Sequence, residues 1–111
     1  MENKEMKNCI DLCLKSAIAN EHCASHDLMD SGENAKQMKR CVQLNRDCAD
    51  ICVLTARLVA RHSEHAKHMM KECIEICELT AAECEKHNHE HCKECAKACR
   101  ACAEECRKMA A

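Results

Sequence analysis

Cysteine residues recur along the chain at the spacing that places side chains on one face of an α-helix. Pairs separated by four positions occur in 9–13, 48–52 and 73–77. In 92–106 the steps between successive cysteines are three, four, three and four, which is the a and d pattern of two heptads. Charged residues and alanines fill the remaining positions of 92–106. The pattern predicts helices whose inward faces carry thiols.

Three interruptions divide this pattern into four segments. They lie around Gly32, which is the only glycine, and near His62 and Asn88. The chain has no proline, which also favours helices. The residues that suit helix N-caps are Asn34, Ser63 and Asn88. The predicted helices are 3–29, 34–61, 64–86 and 89–109. Because short connections make sequential helices antiparallel, we expect an all-α, up-down-up-down four-helix bundle that forms one domain over 1–111.

The cysteines of the second and third predicted helices have mirrored spacings. Within 41–52 the gaps between cysteines are six and then three residues, and within 73–84 they are three and then six. Antiparallel helices need such a reversal to bring matching side chains to the same depth. Counting from the end that carries Gly32 and Asn88 predicts a group of thiols near that end, consisting of Cys23, Cys41, Cys84, Cys92 and Cys95. The other cysteines lie deeper in the bundle.

Each predicted helix carries its cysteines along one face, which we call its stripe. Between the two thiol groups, polar residues occupy positions of these stripes. They are Ser16, Asn20, Asn45 and Thr80. The cysteine-lined core is therefore expected to contain a polar belt that separates a smaller thiol group from a larger one.

Composition restricts the classes of function. The 111 residues include 14 cysteines and no aromatic residue, and the net charge is −2. The near-neutral charge and the lack of stacking rings argue against a nucleic acid partner, and no apolar run is long enough to cross a membrane. The charged N-terminal residues do not resemble a signal peptide, so we expect a cytoplasmic protein whose thiols stay reduced and bind metal.

The spacing of the cysteines favours Cu(I) among the thiophilic metals. Cβ atoms four positions apart on a helix are about 5–6 Å apart, which is too far for most disulfides. Zinc sites are usually discrete sets of four ligands, and iron–sulfur cysteines tend to lie in loops. Cu(I) accepts two or three thiolates that can bridge ions, and one thiolate per Cu(I) leaves a buried cluster nearly neutral. On the order of ten Cu(I) ions is a plausible load.

Histidine and methionine residues gather near the end that carries Gly32 and Asn88. Imidazoles and thioethers bind Cu(I) more weakly than thiolates do, which suits transient capture at an opening. The candidate residues for metal uptake are His22, His26, Met38, His87, His89 and His91.

The sequences of 89–106 and 41–52 resemble those of the bacterial copper storage proteins. Because no signal peptide is expected, the chain is more similar to the cytosolic branch of that family. The resemblance implies a tetrameric four-helix bundle that fills its interior with Cu(I). It also implies that copper enters near the end carrying His87, His89 and His91. Stripe positions that are often cysteine in the family hold other residues here, namely Ser16, Asn20, Asp27, Met70 and Thr80. We therefore hypothesise two partly separate copper clusters.

The sequence thus predicts a non-enzymatic protein that stores or buffers multiple Cu(I) ions. It would supply a copper chaperone or cuproenzyme and form a homo-oligomer, a tetramer by family resemblance. The predicted ligands are all the cysteines: Cys9, Cys13, Cys23, Cys41, Cys48, Cys52, Cys73, Cys77, Cys84, Cys92, Cys95, Cys99, Cys102 and Cys106. One alternative is a zinc or general soft-metal protein. Another is a thiol–disulfide module that uses 92–95 or 99–102.

Overall fold

The described part of the chain forms a bundle of four α-helices. The computed structural model describes residues 3–29 and 35–111. The helices are α1 (Lys4–Met29), α2 (Ala35–Ala60), α3 (Ala66–Cys84) and α4 (Glu90–Ala110), and no strand occurs in the described ranges. The observed helix ends lie within two residues of the expected ones.

The helices pack in a ring in which each contacts two neighbours, in the order α1, α2, α3, α4 and back to α1. Sulfur contacts establish the directions of the helices. Cys13 lies 3.7 Å from Cys102, while Cys23, further along α1, lies 3.9 Å from Cys92, nearer the start of α4. The same reversal occurs between α2 and α3, as described below. The predicted up-down-up-down bundle is therefore confirmed, with dimensions of 48 × 19 × 17 Å.

The ends of α2 and α4 show how the short connections are built. Helix α2 ends in a Schellman motif, in which the Ser63 N–H donates to the Leu58 carbonyl and the His62 N–H donates to the Val59 carbonyl. His62 takes the left-handed conformation that this motif requires, with φ of 55°. At α4 the N-cap is His89, so the predicted Asn88 cap is wrong by one residue.

The predicted Ser63 cap is also displaced. His65 holds the N-cap position of α3, and the Ser63 hydroxyl accepts a hydrogen bond from the His65 N–H just before the helix. The predicted Asn34 cap lies outside the described residues.

Thiols and small side chains form the core. Every cysteine is fully buried, and all fourteen are free thiols. Alanines such as Ala81 and Ala103 pack beside them, and the buried methionines Met6, Met38 and Met70 fill the remaining space. No helix in the described residues combines the length and the apolar character needed to span a bilayer.

Candidate metal centre

The buried thiols divide into two groups along the bundle axis. In the first, which we call the deep group, sulfur contacts of 3.7 to 4.0 Å link nine cysteines into one network. Its members are Cys9, Cys13, Cys48, Cys52, Cys73, Cys77, Cys99, Cys102 and Cys106. The second, which we call the mouth group, consists of the five cysteines predicted to lie near the other end: Cys23, Cys41, Cys84, Cys92 and Cys95.

The deep group contains two sets of four sulfurs that share members. Within each set all sulfur atoms lie within 4.8 Å of one another. The sets are Cys13, Cys73, Cys102 and Cys106, and Cys52, Cys73, Cys77 and Cys102. Because Cys73 and Cys102 belong to both sets, metal ions bound in the two sets would share these two ligands. A neighbouring triad of sulfurs extends the network toward the mouth: Cys48, Cys77 and Cys99.

The mouth group contains a mixed set of ligands. Cys23, Cys41 and Cys92 form a cluster with the carboxylate of Asp27, in which all four ligand atoms lie within 4.8 Å of one another. Cys23 also forms a triad of sulfurs with Cys84 and Cys95. The surroundings of the mouth group therefore differ chemically from those of the deep group, because a hard oxygen donor lies beside its thiols.

Amide side chains separate the two groups, as the stripe pattern predicts. The Asn20 Nδ2 donates to Cys48 and Cys99 of the deep group, at 3.4 and 3.3 Å, and its Oδ1 accepts from Cys95 of the mouth group at 3.2 Å. Asn45 lies against the mouth group, where its Oδ1 accepts from Cys84 and Cys95. Among the described residues, no sulfur–sulfur contact of 4.0 Å or less joins the two groups. Cys95 and Cys99, one turn apart on α4, nevertheless affect each other's pKa across the boundary, so the groups are only partly separate.

Two further polar residues of the stripes behave differently from each other. The Ser16 hydroxyl lies within hydrogen-bonding distance of Cys52, Cys77 and Cys99, so it belongs to the lining of the deep group. The Thr80 hydroxyl instead donates to the Leu44 carbonyl of α2. Ser16 therefore lines the deep group beside Asn20, whose Nδ2 donates to its hydroxyl at 3.3 Å, whereas Thr80 makes its hydrogen bond to backbone.

Mutual hydrogen bonding spreads the pKa values of the deep-group thiols. Hydrogen bonds from Cys106 and Cys13 outweigh burial and lower the pKa of Cys9 to about 4. Hydrogen bonding, first with Cys102, lowers the pKa of Cys52 to about 5. The pKa of Cys77 is raised, first by its hydrogen bond to Cys102 and further by burial. Some thiols of the deep group therefore lose their protons readily, whereas others, such as Cys77, keep them. A metal ion that binds to the thiols that keep their protons must displace those protons.

Imidazole rings line the mouth end of the bundle. His26 lies between His22 and His91, with ring-centre distances of 4.4 and 5.0 Å, and His89 lies 5.3 Å from His91. Four of the predicted uptake residues are therefore brought together. Met38 is buried and lines the same surface hollow as Asp27.

His87, also predicted for uptake, pairs with Glu83. Its Nε2 lies 2.9 Å from the Glu83 carboxylate, which is nearly buried. Burial raises the pKa of Glu83, but hydrogen bonds from His87 and Lys86 outweigh it, so the net pKa is lowered. Arg40 of α2 also pairs with this carboxylate. The spacing of Glu83 from Lys86 and His87, three and four residues, is the local signal that could have indicated this pair.

The second unexpected pair joins α1 to α4. The Nε2 of His91 lies 2.7 Å from Oδ1 of Asp27, which is 4% exposed. Burial raises the pKa of Asp27, and the hydrogen bond from His91 opposes this effect. The two residues are 64 positions apart, and no local spacing could have indicated their contact.

Comparison with known proteins places this thiol-filled bundle in a family. Residues 2–111 match the family model described as copper storage protein. The chain belongs to the copper storage protein family. This confirms the resemblance carried by 41–52 and 89–106.

Individual copper storage proteins match over nearly the whole chain. The Cu(I)-bound copper storage protein BsCsp3 is 40% identical, with a TM-score of 0.92, over 97% of this chain and 100% of that one. A cytosolic copper storage protein from Streptomyces lividans, solved with five coppers, is 33% identical, with a TM-score of 0.89, over 96% and 92% of the two chains. The uncharacterised cysteine-rich protein YhjQ of Bacillus subtilis (strain 168) is 42% identical over 103 residues, or 93% of this chain and 94% of its own length.

Proposed function

We propose that this chain stores Cu(I), holding several ions on cysteine thiolates inside the bundle. The observation that best supports this proposal is the deep group, in which nine sulfur atoms form one network of contacts of 3.7 to 4.0 Å. Two metal–sulfur bonds of roughly 2.3 Å place two sulfurs up to about 4.6 Å apart, so neighbouring thiols can bridge a metal without helix movement. The Cu(I)-bound relative of the same fold supports this choice of metal.

Charge and sharing of ligands favour Cu(I) over zinc in the deep group. Each four-sulfur set filled by Zn²⁺ would carry a net charge of −2 in a fully buried environment, which is costly. One Cu(I) per thiolate leaves the group nearly neutral. Cys73 and Cys102, which belong to both sets, suit the bridging thiolates of Cu(I) clusters.

A binding role is favoured over thiol–disulfide catalysis. The two candidate redox pairs, in 92–95 and 99–102, lie inside α4, and their sulfur-bearing side chains are fully buried. Disulfide exchange requires a thiolate that a second sulfur can reach from solvent. The burial of these pairs supports metal storage instead.

The first test is an anaerobic titration of the fully reduced protein with Cu(I), against a competing chelator. We expect tight uptake of on the order of ten Cu(I) ions per chain, because bridging thiolates allow nearly one ion per sulfur. The helix content should be high before copper is added, since thiols and alanines already fill the core. Saturation at one to three ions would contradict storage, as would more than one zinc ion per chain that copper fails to displace when run in parallel.

We also propose that Cu(I) enters at the mouth end, past His22, His26, His89 and His91. Their rings form a continuous row of weak ligands that leads to the mouth group. Met38 and His87 lie at the same end, and we include them as secondary uptake residues.

Replacing both His26 and His89 with alanine should slow Cu(I) uptake several-fold in stopped-flow mixing and leave the final copper content unchanged. The physical reason is that these rings bind the ion on its way to the thiols and do not hold it afterwards. The control is the double variant His65→Ala and His68→Ala, at exposed positions near the start of α3. Equal rates for both double variants would contradict uptake at the mouth.

We further propose a cytoplasmic location and a homotetrameric assembly that delivers copper to a chaperone or cuproenzyme. The Streptomyces lividans relative, described as cytosolic, supports the location. Exposed apolar side chains on α1 and α2, including Leu14, Ile18 and Val53, support an interface between copies.

A further inference from the structure

Asp27 is a buried carboxylate among thiols at the mouth of the bundle. Its Oδ2 lies 3.9 Å from the sulfur of Cys23, and its Oδ1 lies 4.0 Å from the sulfur of Cys92. The sulfur of Cys41 completes the set, within 4.8 Å of the other three ligand atoms. Three sulfurs and one oxygen therefore converge on one point inside the mouth group.

The distances within this set are somewhat longer than those of a tetrahedral zinc site. With zinc–sulfur bonds of about 2.3 Å and zinc–oxygen bonds of about 2.0 Å, neighbouring ligand atoms of a tetrahedron lie roughly 3.5 to 3.8 Å apart. The sulfurs of Cys23 and Cys92 are 3.9 Å apart, close to that spacing. Only small side-chain adjustments would be needed to close these ligands around an ion.

The oxygen donor distinguishes zinc from copper at this position. Cu(I) is soft and gains little from a carboxylate, whereas Zn²⁺ is intermediate in softness and commonly accepts Asp oxygen beside Cys sulfur. A divalent ion also offers a buried carboxylate more electrostatic stabilisation than a monovalent ion does. We propose that Cys23, Cys41, Cys92 and Asp27 form a zinc site at the mouth, separate from the copper sites of the deep group.

His91 orients the carboxylate for this role. Its Nε2–H donates to Oδ1 of Asp27 at 2.7 Å, the Cys23 thiol donates to Oδ2 at 3.9 Å, and the Cys41 thiol also hydrogen-bonds to this carboxylate. When Cys23 and Cys41 lose their protons to bind a metal, the carboxylate loses these thiol donors and keeps the His91 hydrogen bond, so Oδ2 can bind the ion. Carboxylate ligands held by an outer hydrogen bond in this way are the usual arrangement in zinc sites.

The four-sulfur sets of the deep group are the competing location for zinc. A zinc ion bound by four thiolates there would place a charge of −2 where every ligand side chain is fully buried. At the mouth, three thiolates and one carboxylate around Zn²⁺ also sum to −2 and are also buried, but the N–H of His91 points at the carboxylate and offsets part of this charge. The first zinc ion is therefore expected at the mouth.

The test uses zinc alone, so its result is independent of the copper storage proposal. The fully reduced full chain is titrated anaerobically with Zn²⁺ against a chromophoric chelator. Asp27→Asn should weaken binding of the first zinc roughly tenfold or more, because it removes a ligand. Asp27→Cys should restore tight binding by supplying a fourth sulfur. The matched control is Asp11→Asn, at an exposed carboxylate of α1, which should match the unaltered chain.

X-ray absorption spectroscopy with one equivalent of Zn²⁺ identifies the ligands directly. The proposal predicts three sulfurs and one oxygen in the unaltered chain, and four sulfurs in Asp27→Cys. Four sulfurs in the unaltered chain would mean that Asp27 does not bind the first zinc ion and would overturn the proposal. Equal zinc affinity in Asp27→Asn and Asp11→Asn would overturn it as well.

Discussion

Replacing Asn20 with aspartate should lower the unfolding free energy of the metal-free bundle by about 2 to 4 kcal/mol at neutral pH. The substitution preserves the shape of the side chain but removes the Nδ2 donor. That donor serves Cys48, Cys99 and the Ser16 carbonyl, at 3.4, 3.3 and 2.8 Å. A carboxylate would face these acceptors without a hydrogen to offer them, in a fully buried position.

The loss caused by Asn20→Asp should depend on pH in a defined direction. Burial raises the pKa of the introduced carboxyl above its value in the unfolded chain, about 3.9. The destabilisation is therefore largest above the folded pKa, shrinks as the pH falls below it, and is smallest below about pH 4, where the carboxyl is protonated in both states. Denaturant unfolding of the reduced protein, followed by circular dichroism across this pH range, measures the effect.

Asn8→Asp is the matched control for this experiment. Asn8 lies on the same helix but is exposed, so the same chemical change should alter stability by less than about 0.5 kcal/mol. If Asn20→Asp proved as stable as Asn8→Asp at neutral pH, the belt would not depend on donation from the Asn20 amide.

Replacing both Cys73 and Cys102 with serine should remove about four of roughly ten Cu(I) ions from the capacity of the chain. These two residues belong to both four-sulfur sets, so each set loses half of its ligands. The remaining sulfurs of the deep group separate into a three-membered and a four-membered network. The same Cu(I) titration measures the capacity, and circular dichroism checks that each buried hydroxyl, which costs about 1 kcal/mol, leaves the bundle folded.

The comparison for this double variant is Cys41→Ser with Cys84→Ser. These two sulfurs lie 3.7 Å apart in the mouth group, and neither belongs to a four-sulfur set. Removing them takes away the same number of thiols and should cost about two Cu(I) ions. Equal losses for the two double variants would mean that the cysteines act as independent ligands and that the deep group has no shared architecture.

The bundle and the positions of the thiols along it could be predicted from the sequence because both follow from helical periodicity and short connections. The mirrored spacings of α2 and α3 predict their register. The sulfurs confirm it, with Cys48 lying 3.7 Å from Cys77 and Cys52 lying 3.8 Å from Cys73. The five cysteines expected near the mouth are the same five that form the mouth group.

Side-chain contacts between helices distant in sequence could not be predicted in this way. The pairing of Asp27 with His91 depends on the exact rotation of α1 and α4 about their axes. A periodic pattern shows which face of a helix points inward but does not determine that rotation. Thr80 shares the stripe of the asparagines, yet its short hydroxyl reaches a backbone carbonyl of α2 instead of a thiol. The residue that caps a helix, such as His89 at α4, depends on the conformation of the short connection before it. The packing of the neighbouring helices determines that conformation, so the sequence predicts the cap only approximately.

The register between α2 and α3 also limits where residues can be inserted into or deleted from the chain. One residue inserted within either helix would turn every following side chain by about 100° and advance it by 1.5 Å, which would take sulfurs out of contact with their partners. Insertions and deletions should therefore be tolerated in the three links between helices and rejected within them. A larger member of this architecture must lengthen all four helices together, so that its interior grows by complete layers of facing sulfurs.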